Sequence, residues 1–194
     1  GMIATNTNKL KKISDAMNDY NNQQRALAAA SDAVVPNTLY ENGQHMNTIW
    51  AVPSLGIDPS DGYEMYVARD GSLTKNWSSA NIVACGIADD KYNGNFGING
   101  MYKNFGMSVV FTFRGGGDLY NQTLVDKVEN VTISQNVDKR VLYGRWREYG
   151  QWTQFRRIRN DYDSTGDLGH TEGSKTRATS RFVQKNNELN LSSV

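Results

Sequence analysis

Residues 92–114 alternate between apolar and small or polar side chains with a period of two. If residues 103–104 form a two-residue turn, the segments on either side pair as antiparallel strands, and every second position falls on the same face. The pairs on one face are Tyr102 with Phe105, Gly100 with Met107, Ile98 with Val109 and Phe96 with Phe111. The other face carries Asn95, Gly97, Asn99, Met101, Gly106, Ser108, Val110 and Thr112. The pattern predicts a β-hairpin with one apolar face.

The length of this hairpin is compatible with two environments. Each strand keeps the alternation for about ten residues, which is the length that a tilted strand needs to cross a bilayer. Tyr102 and Phe105 flank the turn, where a membrane strand carries its girdle of aromatic residues. Half-buried hairpins of soluble β-sandwiches show the same alternation and are more numerous. The pattern alone leaves a lipid-facing and a soluble hairpin open.

Before the hairpin, the sequence changes from helical to strand signals. Apolar residues recur at three- and four-residue spacing from residue 9 to about 30, which predicts an amphipathic helix. These apolar residues are Leu10, Ile13, Met17 and Tyr20. Two dipeptides that favour tight turns, Asp61-Gly62 and Asp70-Gly71, predict a small β-meander between residues 48 and 77.

After the hairpin, strand signals are weak until the last residues. Three glycines at 115–117 are interpreted as a flexible exit from the strand, and residues 115–186 as a long loop with two short helices. The apolar residues of these helices are Leu124, Val125, Val128 and Val131, and then Val137, Val141 and Leu142. Residues 187–194 resume the alternation and are interpreted as the start of a truncated strand.

Composition argues against several classes of function. The chain holds 21 Lys and Arg against 20 Asp and Glu, so no overall field attracts a polyanion, and no nucleic-acid partner is expected. Cys85 is the single cysteine, which rules out an internal disulfide. The two histidines are far apart in the sequence and lack a neighbouring nucleophile pattern, so neither an enzyme nor a cofactor is predicted.

Two motifs are candidates for binding. Aromatic residues recur every third position in the basic stretch around residue 150, and Trp146, Tyr149 and Trp152 are candidates to stack on the apolar faces of sugar rings. The alternative is that these rings pack the loop against its neighbours. Asp161, Asp163, Thr165 and Glu172 stand at the spacing of an EF-hand calcium loop, but Gly173-Ser174 follows where an exit helix belongs, so no metal is favoured.

Several blocks of sequence, in a fixed order, resemble the C-terminal part of the SusC/RagA family of TonB-linked outer-membrane transporters. The blocks are NTNKLKKIS, ENGQHMNTIWAV, SLGIDPSDG, KYNGNFG with YKNFGM, YNQTLVDKVENV, NVDKRVLYGRW and TSRFVQKNNELNLSSV. The resemblance implies a large closed β-barrel, an N-terminal plug, energy from a TonB complex and a SusD-like surface lipoprotein as a lid. The resemblance also implies import of oligosaccharides or peptides across the outer membrane of a Gram-negative bacterium.

For this chain the resemblance implies a mainly β fold of antiparallel strands from part of a transmembrane β-barrel, with short helices in long loops. Residues 1–91 become an extracellular-loop-like segment, 92–114 a barrel hairpin with a periplasmic turn, and 115–186 an extracellular loop. The chain is then a piece of a nutrient importer, with oligosaccharides favoured over peptides. Without a plug or a closed barrel it is expected neither to transport alone nor to remain monomeric in water, since its apolar face needs cover. A soluble β-rich cell-surface binding module and a non-functional gene remnant are the alternatives.

Overall fold

The computed structural model describes residues 1–30, 34–131, 136–158 and 175–193. Within these ranges the chain is mainly antiparallel β structure with a few short helices, which confirms the predicted fold class. The strands are β1 (Met2–Thr5), β2 (Thr48–Ala51), β3 (Ser54–Ile57), β4 (Glu64–Val67), β5 (Leu73–Thr74), β6 (Val83–Ile87), β7 (Tyr92–Tyr102), β8 (Phe105–Tyr120) and β9 (Val183–Ser193). The helices are α1 (Asp15–Ala30), α2 (Gln122–Leu124) and α3 (Lys139–Tyr143), and a π-helical turn (Val125–Glu129) follows α2.

The largest sheet has the order β1-β7-β8-β9, and every neighbouring pair is antiparallel. In the β7–β8 hairpin, Tyr102 is opposite Phe105 and Ile98 is opposite Val109, as the alternation predicts. Lys103 begins the turn with φ of 54°, the left-handed conformation that closes a two-residue turn. The predicted register of the hairpin is therefore confirmed over its whole length.

Strand β8 does not end at the three glycines, so their interpretation as a strand exit is wrong. It continues to Tyr120, and its pairing with β9 shifts between Arg114 and Gly117. Gly116 has φ of 79° and donates its N–H to Asn187 Oδ1 at 2.9 Å. The glycines form a bulge within a long strand, because a residue in this conformation takes up the extra length without breaking the sheet.

The helix α1 begins at Asp15, six positions later than the predicted start at residue 9. The preceding residues pair with another segment instead. Leu10 N–H donates to the Gln44 carbonyl at 2.9 Å, and its own carbonyl accepts from Gly43 N–H at 2.7 Å. Local apolar spacing favours a helix here, but these longer-range hydrogen bonds hold the segment extended.

Two smaller sheets lie before the hairpin. Strands β3, β4 and β5 form the predicted meander, with turns at Asp61-Gly62 and Asp70-Gly71, whereas β2 pairs with β6. One hydrophobic cluster joins α1 to these sheets through Ala28, Leu39, Trp50, Val52, Tyr66 and Ile82. A second cluster, Leu124, Val125, Val128, Val141, Phe155 and Phe182, lies under the short helices. No described helix has both the length and the apolar character to cross a membrane.

Candidate functional site

The apolar face of the largest sheet is exposed to solvent in the folded chain. Phe96 stacks on Phe111 with ring centroids 5.1 Å apart, and Phe113 lies beside them. The exposed large side chains of this face include Ile3, Tyr92, Phe96, Ile98, Tyr102, Phe105, Met107, Leu189 and Leu191. Soluble monomers rarely expose so continuous an apolar surface. This face therefore requires a non-aqueous neighbour.

The opposite face of the same sheet is largely polar, although the exposed Met2 and Met101 lie on it, and side chains hydrogen-bond across it. Arg114 forms a two-point ion pair with Glu188 at 2.7 and 2.9 Å across β8 and β9. Ser192 Oγ donates to Thr112 Oγ1 at 3.0 Å one step further along these strands. The sheet thus separates an apolar surface from a polar one, as a barrel wall separates lipid from lumen.

The three candidate binding aromatics have different environments. Trp146 is half-buried, and its Nε1 donates to the Pro59 carbonyl at 3.0 Å while its ring packs on Gly62. Tyr149 is 83% exposed and Trp152 is 84% exposed. Trp146 therefore attaches its loop to the β3–β4 turn, and the other two rings are presented to solvent.

The β3–β4 turn on which Trp146 packs is held by a small charge cluster. Lys75 Nζ lies 2.8 Å from Asp58 Oδ2 and also contacts Asp61. Hydrogen bonds from Lys75 and Ser60 lower the pKa of Asp58 to about 2. The Asp58 carboxylate is therefore charged at physiological pH, where it pairs with Lys75.

A buried charge cluster that no local sequence pattern indicates joins the loops to the strands. Glu129 accepts from Arg181 at 2.7 and 3.0 Å and from Thr176 Oγ1 at 2.6 Å, and Arg156 Nε lies 3.6 Å away. Arg181 also donates to Glu64 at 2.8 Å. One arginine, two residues before β9, thus binds the π-helical turn and β4, which are remote from it in sequence.

Electrostatics keep this cluster ionised. Burial by itself raises the pKa of Glu129, but the charge and hydrogen bonds of Arg181, with the charge of Arg156, outweigh burial and lower it to about 2. Arg145 lies behind the cluster and donates to the carbonyls of Val128, Glu129, Arg156 and Arg157. Burial lowers its pKa to about 10, which still leaves it charged.

A cleft of about 420 Å³ opens between residues 35–38, strand β2, the β6–β7 loop and the end of β8. Its lining is mixed: apolar residues such as Met46, Ile49 and Leu119 alternate with polar ones. Both charged residues in the lining, Asp89 and Asp118, are acidic. No local sequence pattern indicates this cleft, because its walls come from four separate segments of the chain.

The calcium candidates and the two histidines form no site in the described part of the chain. The calcium candidates Asp161, Asp163, Thr165 and Glu172 lie outside the described residues, as does His170. His45 is buried beside Asp89, with Nδ1 3.5 Å from Oδ2. Within the described ranges, the structure brings together no group of three or more His, Cys, Asp or Glu that could hold a metal ion.

An antiparallel sheet with one exposed apolar face and one polar face has the architecture of a section of membrane β-barrel wall. Three solved structures of the RagAB peptide importer share this fold. For the importer in its open-open state the TM-score is 0.60 at 16% sequence identity, and for its closed-closed state the TM-score is 0.59 at 17% identity. For the third structure, of the RagAB peptide transporter, the TM-score is 0.61 at 17% identity. The similarity covers 78–82% of this chain.

This similarity confirms, at the level of the fold, the predicted resemblance to SusC/RagA-type transporters. The chain spans only 16–17% of the length of the importer chains that it matches. No family model matches the sequence. No curated protein matches it either.

Proposed function

We propose that this chain forms part of the barrel wall of a TonB-dependent nutrient importer in the outer membrane of a Gram-negative bacterium. The exposed apolar face of the β1-β7-β8-β9 sheet is the observation that carries the proposal, because such a face needs an apolar neighbour and the lipid around a barrel provides one. The fold shared with a peptide importer supports it. On this proposal the Lys103-Asn104 turn is periplasmic, and the segments before β7 and after β8 are extracellular.

The proposed partners are a SusD-like surface lipoprotein, which closes over the barrel as a lid, and the TonB complex, which supplies energy. The proposed substrates are oligosaccharides or peptides. Tyr149 and Trp152 present exposed rings that can stack on sugar or on peptide side chains, whereas Trp146 supports the loop that carries them. The chain is proposed to contribute to transport as part of the barrel and to catalyse no reaction.

Uptake by living cells tests this function. Cells that carry the gene, and matched cells from which it is deleted, are offered fluorescently labelled oligopeptides and oligosaccharides. We expect the deletion to reduce uptake of one of these classes, and an uncoupler of the proton gradient to reduce uptake in the parent cells to the same level. Equal uptake by the two strains would contradict the proposal and favour a surface binding module or a gene remnant.

The double variant Tyr149→Ala with Trp152→Ala tests the aromatic surface within the same assay. Because both rings are exposed, their removal should leave the amount of folded protein unchanged and lower uptake of the preferred substrate. The matched control is Tyr143→Ala, which removes a ring that is 76% exposed and was not a candidate for binding. Equal uptake by the double variant and the control would exclude a role for this surface.

A further inference from the structure

Three lysines follow closely after the edge strand β1. Residues 1–14 contain Lys9, Lys11 and Lys12 and no aspartate or glutamate. All three side chains are exposed, and none forms an ion pair or a hydrogen bond with another residue in the described ranges. The first acidic residue of the chain, Asp15, begins α1 and pairs with none of them. This segment therefore presents positive charge that no acid in the described part of the chain neutralises.

The backbone around Leu10 directs the flanking lysines away from the protein. Leu10 is half-buried, whereas Lys9 and Lys11 on either side of it are exposed. Successive side chains of an extended segment point to opposite sides, so the hydrogen bonds that hold Leu10 inward also hold its two neighbours outward. Ile13 N–H donates to Asn42 Oδ1 at 2.8 Å and attaches the far end of the segment. The lysines therefore lie on a segment that is fixed to the fold on both sides.

The segment leaves the sheet at the end opposite the hairpin turn. Thr5 is opposite Tyr92, the first residue of β7, and the next N–H, of Asn6, donates to the Lys91 carbonyl at 3.3 Å. Between this end and the turn, β7 has 11 residues. That is about 33 Å of strand, or about 25 Å of depth at a tilt of about 40°, which is the height of the lipid-facing band of a barrel. With the turn at one membrane surface, the lysines follow just beyond the other surface.

We propose that Lys9, Lys11 and Lys12 bind the phosphate groups of lipid A, the phosphorylated glycolipid of the outer leaflet. Basic side chains next to a membrane-spanning segment attract anionic lipid headgroups, and lysine binds phosphate as a compact point charge. The acyl chains of the same lipid lie against the apolar face, where the exposed Tyr92 marks the rim. The inference rests on the proposed function, because it requires a periplasmic hairpin turn, and it adds a lipid partner.

Binding to lipid-containing micelles tests the proposal. The full chain in non-ionic detergent is titrated with micelles of that detergent that carry lipid A or dephosphorylated lipid A, and separately with inorganic phosphate. The apolar face should bind the acyl chains of both lipids, so the difference in affinity measures the contribution of the phosphates. We expect lipid A to bind about tenfold more tightly than its dephosphorylated form, and salt to reduce this preference. Equal affinity for the two lipids would overturn the proposal, as would inorganic phosphate that binds as tightly as lipid A.

Variants locate the phosphate contacts. The test variant combines Lys9→Gln, Lys11→Gln and Lys12→Gln, and should bind the two lipids with affinities within about twofold of each other. The matched control removes the same charge from three exposed lysines after β8, by Lys127→Gln, Lys139→Gln and Lys175→Gln. The control should keep the preference for lipid A, and so should a variant with arginine at the three test positions. An equal loss of preference in the test variant and the control would mean that net charge alone acts, and the proposal would be wrong.

Failure here and failure of the importer proposal are separable. If the two lipids bind equally but uptake still depends on the gene, the importer proposal stands and the lipid proposal falls. If the three lysines confer a preference for lipid A but uptake does not depend on the gene, the lipid proposal stands and the importer proposal falls. If the test variant does not fold, the comparison of the two lipids on the unmodified chain and on the arginine variant still decides.

Discussion

Glu129 is the residue on which the loop region depends most. Its side chain has no exposed surface, yet it remains charged because Arg181, Arg156 and Thr176 surround it. Removing one member of a buried ion pair leaves the other charge without compensation, which typically costs about 3–5 kcal/mol. The loop region therefore loses a large part of its stability if this carboxylate is removed.

Replacement of this carboxylate by its amide gives the first prediction. Glu129→Gln keeps the shape but removes the carboxylate that Arg181 and Arg156 share, so that Arg181 keeps only its ion pair with Glu64, and we expect the free energy of unfolding to fall by about 3–5 kcal/mol. Urea denaturation measures it. The control is Asp126→Asn on the same π-helical turn, where an exposed carboxylate should contribute less than about 1 kcal/mol.

The pH dependence of stability follows from the same residue. In the folded chain the pKa of Glu129 is lowered from 4.5 to about 2, so its contribution is present above pH 4.5 and is lost as the pH falls toward 2. We expect the unfolding free energy of the unmodified chain to decline in this window and that of Glu129→Gln to decline less. Parallel pH profiles of the two proteins would contradict this account of the cluster.

No local pattern in the sequence predicts this cluster. Arg181 lies 52 positions from Glu129 and 117 positions from Glu64, so only the fold brings the three together. Charged residues are normally solvent-exposed, and nothing in the neighbouring residues marks these as buried. The same holds for Trp146, whose spacing with Tyr149 and Trp152 indicated a binding surface but did not reveal its contact with Pro59.

At the scale of single elements, the sequence predicts the β7–β8 hairpin but not the extension of β8 beyond it. Alternation and a turn fix the register of β7 and β8, because a slip of one residue would exchange the two faces. The extension of β8 through Gly116 depends on pairing with β9, about seventy positions later in the chain. Likewise, the late start of α1 depends on hydrogen bonds between Leu10 and residues 43–44.

The hairpin register can be checked by crosslinking. After Cys85→Ala, the pair Ile98→Cys with Val109→Cys places two thiols directly opposite each other on the apolar face, so we expect rapid disulfide formation under mild oxidation. The pair Ile98→Cys with Val110→Cys is the control, since these side chains point to opposite faces. Faster crosslinking of the control pair would indicate a slipped register.

The contact between the Trp146 loop and the β3–β4 turn gives a prediction based on two glycines. Gly62 and Gly43 have similar backbone conformations, with φ of 75° and 81°, but a Cβ on Gly62 would meet the Trp146 ring at 2.4 Å, whereas Gly43 has open space. Gly43→Ala should cost about 1 kcal/mol from backbone strain, and Gly62→Ala about 2–4 kcal/mol, because the ring must also move. Equal losses in thermal denaturation would mean that the loop does not pack on the turn.

At the scale of the whole molecule, the apolar face determines how the isolated chain behaves. Without lipid or detergent, the exposed face of the largest sheet must find another apolar surface, and the nearest available one is that of a second copy. We expect oligomers in size-exclusion chromatography with light scattering at micromolar concentration. A well-dispersed monomer that binds no hydrophobic dye would instead support the soluble binding module.

Contact between this apolar face and lipid is tested most directly with spin labels. The protein, made in its natural gene context with Cys85→Ala, carries a nitroxide at Ile98→Cys on the apolar face or at Asn99→Cys on the polar face, and is reconstituted in phospholipid bilayers. We predict that the label at position 98 collides preferentially with oxygen, which concentrates in lipid, and the label at position 99 with a water-soluble nickel complex. Preferential collision with the nickel complex at position 98 would contradict the account.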